Sequence, residues 1–245
     1  MQESEKIKLG ISIGDFNGIG CEVVLKTFED VRMLDFCTPI IFASNKVISF
    51  QKNELGIEIN YNGIQEVSKA LDGKINVMNV WKETPAITFG EATAEGGEYA
   101  VKSLVAAVDA LKKDEIDVLV TAPINKNNIQ SKDFNFPGHT DYLAKELEGE
   151  SLMFMVTDDL KVGLLTDHVA VRDAPAAINA KLVKSKIKII ENSLKIDFGI
   201  RKPRIALLGI NPHSGDNGVI GKEDDEVLKP VIKDLMDAGH LVYGP

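Results

Sequence analysis

An α/β protein of two domains, with mainly parallel sheets and a mixed second sheet, is the fold class this sequence predicts. Three observations lead there. From Ile7 onward, apolar runs of strand length alternate with helical patterns, as they do where a parallel sheet is covered on both faces. These runs end abruptly in loops rich in glycine, proline and polar residues. Near the middle, Ile124–Pro137 (INKNNIQSKDFNFP) is polar and irregular. It is the expected crossing between domains, which places the first at 1–125 and the second at 126–245.

Ile7–Ile13 (IKLGISI) reads as the first strand. Gly14-Asp15-Phe16-Asn17-Gly18-Ile19-Gly20 follows, ahead of a helix with Val24, Leu25 and Phe28 on one face. The GxxxGxG spacing matches neither the dinucleotide fingerprint nor a Walker A loop. Glycine permits positive φ and close backbone approach, and a helix start offers free N–H groups. The loop reads equally as a ligand-contacting turn or as a tight strand-to-helix turn with no ligand.

Thr38–Ala43 is the next strand, with Ser44 or Asn45 as cap of the following helix. Ile57–Tyr61 and Ile75–Val80 are further short strand candidates, with a weak helical segment at Ile64–Leu71 between them; Lys82–Gly90 reads as a loop. Ala94–Lys112 is the best helix in the chain, with Val101, Leu104, Val105, Val108 and Leu111 as its apolar stripe. Ile116–Val120 then reads as a buried strand ending in Thr121-Ala122-Pro123.

Thr140–Glu148 is a short helix, capped by Thr140 and closed by Gly149. Leu152–Thr157 and Lys161–Thr166 flank Asp158-Asp159 closely enough to form a hairpin. A helix from about Asn179 carries Val183, Ile187, Ile190 and Leu194, with Gly199 as its stop. The last helical pattern uses Leu228, Val231, Ile232 and Leu235, and Pro230 implies either a kink or a late start. Leu241–Pro245 begins like a strand.

Composition narrows the function classes. The chain has 245 residues, 44% hydrophobic and 27% charged, ordinary for a globular protein with ample core. A net charge of -9 argues against nonspecific nucleic-acid binding. Anionic substrates stay open, because a local pocket can oppose the net charge. Cys21 and Cys37 lack metal or redox spacing and read as reduced core thiols of a cytoplasmic protein. The charged start MQESEKIKLG has no apolar signal region, and no run approaches membrane-spanning length.

The stretch Arg204–Glu223 (RIALLGINPHSGDNGVIGKE) organises the rest. Ile205–Ile210 reads as a buried strand that stops at Asn211-Pro212-His213, and ligands in open α/β sheets sit just beyond the carboxyl ends of strands. His168 ends the run Val162–Asp167, and His139 stands in Pro137-Gly138-His139-Thr140 before a helix. Imidazole is the commonest side-chain ligand of zinc-like ions. These histidines are nevertheless far apart and lack any local metal signature. Asp167, Arg172 and Asp173 flank His168, and Asp216 follows His213; they read as ligand-orienting groups or as solvated loop charge. Lys126 either faces an anionic ligand or is solvated. His240 follows a helix end and reads as structural or exposed.

Five motifs in order carry a resemblance: Gly14-Asp15-x-x-Gly18-Ile19-Gly20-x-Glu22, Thr121-Ala122-Pro123-Ile124-Asn125-Lys126, Gly138-His139-Thr140, His168 with Arg172-Asp173-x-Pro175-Ala176-Ala177-Ile178, and Asn211-Pro212-His213-x-Gly215. Over essentially its whole length the sequence resembles the 4-hydroxythreonine-4-phosphate dehydrogenase family of pyridoxal phosphate biosynthesis. The resemblance implies a two-domain subunit like the isocitrate and isopropylmalate dehydrogenases, and a homodimer with a shared active site in the interdomain cleft. It implies NAD and a divalent cation (zinc, magnesium or cobalt) as cofactors. Carried over position by position, His168 and His213 match metal ligands, and His139 and Thr140 match substrate-binding positions.

The implied reaction oxidises and decarboxylates 4-phosphooxy-L-threonine to 3-amino-2-oxopropyl phosphate. The base and the NAD-site residues are not assigned. The family's third metal histidine and several substrate positions would fall beyond Pro245, so a C-terminally truncated chain, inactive by itself, is expected. Three other readings stay open. They are a dehydrogenase of a related erythronate or threonate 4-phosphate, a metal-dependent hydrolase, and a noncatalytic ligand-binding module.

Overall fold

A computed structural model describes residues 6–132 and 134–245. The first five residues of the charged N-terminal stretch, and Asp133 in the polar middle segment, lie outside it. The chain divides into two compact units, one ending at Gly149 and the other spanning Glu150–Pro245. The expected crossing at 125/126 lies upstream of this division. The intervening segment instead packs on the first unit, because Ile129, Phe134 and Tyr142 bury against Ala100, Leu104 and Val108.

The first unit follows the expected alternation. Its elements are β1 (Ile7–Ser12), α1 (Gly20–Thr27), β2 (Cys37–Ala43), α2 (Asn45–Glu54), β3 (Tyr61–Ile64), β4 (Ile75–Asn79), α3 (Ala94–Lys112), β5 (Val118–Thr121) and α4 (His139–Glu146). The strands form one sheet in the order β3-β4-β2-β1-β5, parallel at every pairing. Every residue of the central strand β2 is buried, as two covered faces require. Ser44 is the cap of α2, its hydroxyl accepting from the Val47 N–H at 3.3 Å. Cys21 and Cys37 are both buried and free.

Four local expectations change. The strand expected at 57–61 forms instead at Tyr61–Ile64. Ile57 and Ile59 do bury in alternation, but the Ile57 N–H and Ile59 carbonyl bond to Lys52 at the end of α2 rather than to a strand. The weak helix at 64–71 is reduced to a single turn, Val67–Lys69. β5 is not buried: it is a sheet edge with Val118 42% and Val120 47% exposed, and only Leu119 packs toward α3. Thr140 does not cap α4, because the helix starts one residue earlier at His139, after an extended Gly138.

α3 has the expected bounds, but its buried face turns toward small residues. Ala100, Ser103, Ala107 and Ala110 are buried with Leu104 and Val108, while Val101 and Val105 are only partly buried. Short side chains let the helix lie close to the sheet, close enough for the Ser103 hydroxyl to donate to the Phe42 carbonyl and accept from the Ile13 N–H.

The second unit holds β6 (Phe154–Val156), β7 (Lys161–Gly163), α5 (Ala174–Ala177), α6 (Ala180–Ile196), β8 (Ile205–Ala206), α7 (Lys229–Asp237) and β9 (Val242–Tyr243). β6 and β7 form the expected antiparallel hairpin, and β8 pairs with β9 in parallel. Asn179 caps α6 through a 3.0 Å bond from the Leu182 N–H. The α6 stripe Val183, Ile187, Ile190 and Leu194 packs with Leu228, Val231, Ile232 and Leu235 into one core. Pro230 sits in the first turn of α7, directly after a π-helical turn at Asp224–Leu228 that continues into it, so the proline marks an irregularity within a longer helical path and not a late start. The apolar run Ile205–Ile210 is a strand for two residues only, and Leu208 is exposed. Beyond it the chain turns to an interaction that the apolar pattern did not anticipate.

Candidate active site

In the first unit, polar loops gather at the carboxyl ends of β1 and β5. Asp15 is their hub, a carboxylate only 6% exposed. Its Oδ1 accepts from the Asn17 N–H at 2.9 Å and its Oδ2 from Asn128 Nδ2 at 2.7 Å. Asn128 Nδ2 also donates to the Thr93 carbonyl at 2.9 Å, and Asn17 Nδ2 donates to the Thr93 hydroxyl at 3.0 Å. The Asp15 N–H bonds to the Pro123 carbonyl at 3.0 Å. Thus the glycine loop, the start of α3 and the loop after β5 are held as one piece. Gly14 has φ +65°, and a Cβ there would run into the Pro123 carbonyl, so the loop needs glycine for close approach of its own backbone. That is the tight-turn reading of 14–20.

The segment from Lys126 to His139 is strapped to itself. Gln130 Nε2 donates to the Lys126 carbonyl at 3.2 Å and to the Phe136 carbonyl at 2.9 Å. Phe134, Phe136 and Tyr142 stack beneath, with ring centroids 5.1 to 5.4 Å apart. This brings Lys126 beside the start of α4: its Cε lies 3.7 Å from where a Cβ on Gly138 would stand. Burial first, and then the Lys126 charge, hold the His139 imidazole below its usual pKa. Its Nε2 is buried and has no hydrogen-bond partner among the described residues. No side chain caps α4, and Thr140 lies in its first turn, half-buried.

In the second unit, the loop bearing His213 is built on a residue that sequence reasoning missed. Asp224 is 0% exposed. Its Oδ1 accepts from the Ile210 N–H at 2.8 Å; its Oδ2 accepts from the Asn211 N–H and Asn211 Nδ2, both at 3.0 Å. Burial pushes its pKa up, but the Ile210 and Asn211 donors outweigh that and hold it below the usual carboxylate range. Asn211 Nδ2 also reaches Glu223 at 2.8 Å. From this anchor His213 (φ 53°), Ser214, Gly215, Asp216, Asn217 and Gly218 all adopt positive φ, a run that ordinary L-residues avoid. His213 is exposed at its start.

His168 is likewise exposed and left-handed, at φ 51°, and Arg172 pairs with its neighbour Asp173 at 3.5 Å on the surface. His240 is structural: its Nδ1 is 2.8 Å from Glu191 on α6. Imidazoles on exposed loops have suitable donor chemistry for a divalent cation. However, among the described residues no group of three or more His, Cys, Asp or Glu side chains could hold an ion, and a catalytic ion takes about three protein ligands. His168 and His213 do not by themselves make a complete cage. No helix among the described residues is long and apolar enough to cross a membrane.

A parallel α/β unit with its polar loops at strand ends, followed by a second α/β unit with histidines on strained loops, defines an α/β enzyme of the small-ligand type. Residues 35–245 match the family model of pyridoxal phosphate biosynthetic protein PdxA, and the chain belongs to that family. It is 41% identical over 245 residues to 4-hydroxythreonine-4-phosphate dehydrogenase of Bacteroides thetaiotaomicron, covering 99% of this chain and 67% of that protein. It is 32% identical to D-threonate 4-phosphate dehydrogenase of Cupriavidus necator, covering 97% and 72%. The crystal structure of a 4-hydroxythreonine-4-phosphate dehydrogenase from Burkholderia phymatum superposes with a TM-score of 0.84 at 30% identity, covering 99% and 74%.

Proposed function

We propose that the protein oxidises and decarboxylates 4-phosphooxy-L-threonine to 3-amino-2-oxopropyl phosphate, as a homodimer using NAD and a divalent cation. The observation that carries this reading is the 41% identity, over 99% of the chain, to a 4-hydroxythreonine-4-phosphate dehydrogenase. The chain's own residues take simple roles. His139 and Thr140, at the uncapped start of α4, hold polar oxygens of the substrate. A neutral imidazole at His139 can donate one hydrogen bond without itself adding charge. His168 and His213 are two of the cation's donors, and Asp224 keeps the His213 loop in its strained shape. Bound NAD accepts the hydride, and a bound cation places positive charge beside the reacting oxygens.

The test is NADH formation from 4-phosphooxy-L-threonine with added divalent cation, for the wild type and His213→Ala. We expect the variant to lose more than the roughly 10- to 100-fold typical of losing an outer-shell partner of a metal site. Equal turnover by the two would remove His213 from the reaction. A second reading, oxidation of a threonate or erythronate 4-phosphate, is favoured by the 32% identity to the Cupriavidus necator enzyme. Comparing kcat/KM on the two substrates separates them.

A further inference from the structure

We propose that Lys126 is a substrate-contacting residue whose ammonium pairs with an oxyanion, phosphate or carboxylate, held against His139. This rests on the dehydrogenase reading for the identity of the substrate, but the contact itself can be tested without turnover.

Three features of the first unit support it. Lys126 is held in place by its backbone, because Gln130 ties its carbonyl to that of Phe136, three residues before His139. The aromatic stack of Phe134, Phe136 and Tyr142 fixes the far end of the same segment. Its stem reaches the turn at Gly138, so the ammonium of this exposed residue is within reach of the start of α4 and open to a ligand. Among the described residues Lys126 forms no ion pair, in contrast to Lys26, Lys102 and Lys112 of the same unit. Beside it, His139 Nε2 is buried and without a hydrogen-bond partner among the described residues. A buried polar atom left unpaired is costly, and the Lys126 ammonium acts on this imidazole. An anionic oxygen answers both needs, pairing with the ammonium and accepting from the imidazole N–H. A neutral polar ligand would answer only the second.

The substrate class carries two oxyanions, so the experiment separates them. The whole 245-residue chain is titrated with inorganic phosphate and, separately, with acetate, following the His139 ring signals by NMR and the heat by calorimetry. Lys126→Met and Lys126→Arg are run beside the wild type. The expected result is that one of the two ions shifts the His139 signals. Its affinity should drop about tenfold or more in Lys126→Met, the loss of one charge-assisted bond, and largely return in Lys126→Arg. The ion that does this names the group, phosphate or carboxylate. Urea midpoints of the variants equal to the wild type exclude a folding effect; if Lys126→Met does not fold, Lys126→Gln replaces it.

Two outcomes overturn the proposal: equal affinity in Lys126→Met and wild type, or no shift of His139 by either ion in the wild type. NADH formation is assayed separately. Anion binding that depends on Lys126 leaves this contact standing whether or not the chain turns over a phosphorylated hydroxy acid. Turnover with unchanged kcat/KM in Lys126→Met would support the dehydrogenase reading and sink this contact.

Discussion

Replacing Asp224 by asparagine should unfasten the His213 loop, and the size of the effect can be worked from its bonds. The carboxylate accepts three hydrogen bonds, from the Ile210 N–H, the Asn211 N–H and Asn211 Nδ2. Asparagine keeps one acceptor oxygen. Its amide nitrogen must then face N–H donors on the other side. At least one bond to a charged group is lost, worth about 1.5–3 kcal/mol, and a buried donor is left unpaired at a similar cost of about 1–3 kcal/mol. The expected loss is about 3–5 kcal/mol from the second unit.

Urea denaturation followed by circular dichroism gives the total, and hydrogen exchange localises it. The Ile210 and Asn211 amides should be protected in the wild type and exchange fast in the variant. The pH dependence checks the charge. Because the folded pKa lies below the ordinary 3.8, the carboxylate's contribution is fully present above that value. It fades as pH falls through the lower folded value. Wild type and Asp224→Asn should therefore converge in strong acid and differ most near neutrality. Unchanged exchange at Ile210 and Asn211, with an unchanged urea midpoint, would refute the assignment of Asp224 as the anchor.

Further outcomes follow from the first unit. Gly14→Ala should cost at least about 2 kcal/mol, since positive φ is joined by a collision with the Pro123 carbonyl. Gly73→Ala, at φ +67° with nothing within 4 Å, should cost only the conformational part, about 1–2 kcal/mol; thermal melts of the pair separate collision from strain. Burial, and then the Asp15 charge, push the Cys21 thiol up to about 12. It should therefore resist a thiol reagent at pH 8 in the native state and react at once in denaturant. Native-state labelling at Cys21 would show that the core around α1 opens.

Much of the framework was legible because it depends on near neighbours. Ala94–Lys112 is a helix with the bounds its pattern gives, since a long amphipathic period leaves little choice. The start of α6 falls at Asn179 as its pattern gives, since the donor that residue satisfies is three residues away. The 57–61 strand failed for a tertiary reason: alternation reports burial, and Ile57 and Ile59 are buried, but it does not report who supplies the hydrogen bonds. β5 was expected to be buried because its sequence is apolar. Its place at the sheet edge is set by strand order, which no local pattern carries.

The candidate site divides the same way. His139, His168 and His213 stand out in the sequence because each ends or begins an element. Asp224 does not, lying in an acidic run with Glu223, Asp225 and Glu226, any of which could favour a helix start. Only burial and the donors at Ile210 and Asn211 distinguish it. Asp15 and Asn128 are 113 positions apart, and their bond exists only once β1 and β5 lie side by side. The sequence by itself determined the long helices α3 and α6, the strands β1, β2 and β4, the glycine and proline punctuation and the family motifs, because local sterics and hydrophobic periodicity act within a few residues. Only the tertiary structure decided which carboxylates are buried as anchors and which lysine stands beside His139. Those choices belong to desolvation and to hydrogen-bond donors brought together from distant parts of the chain.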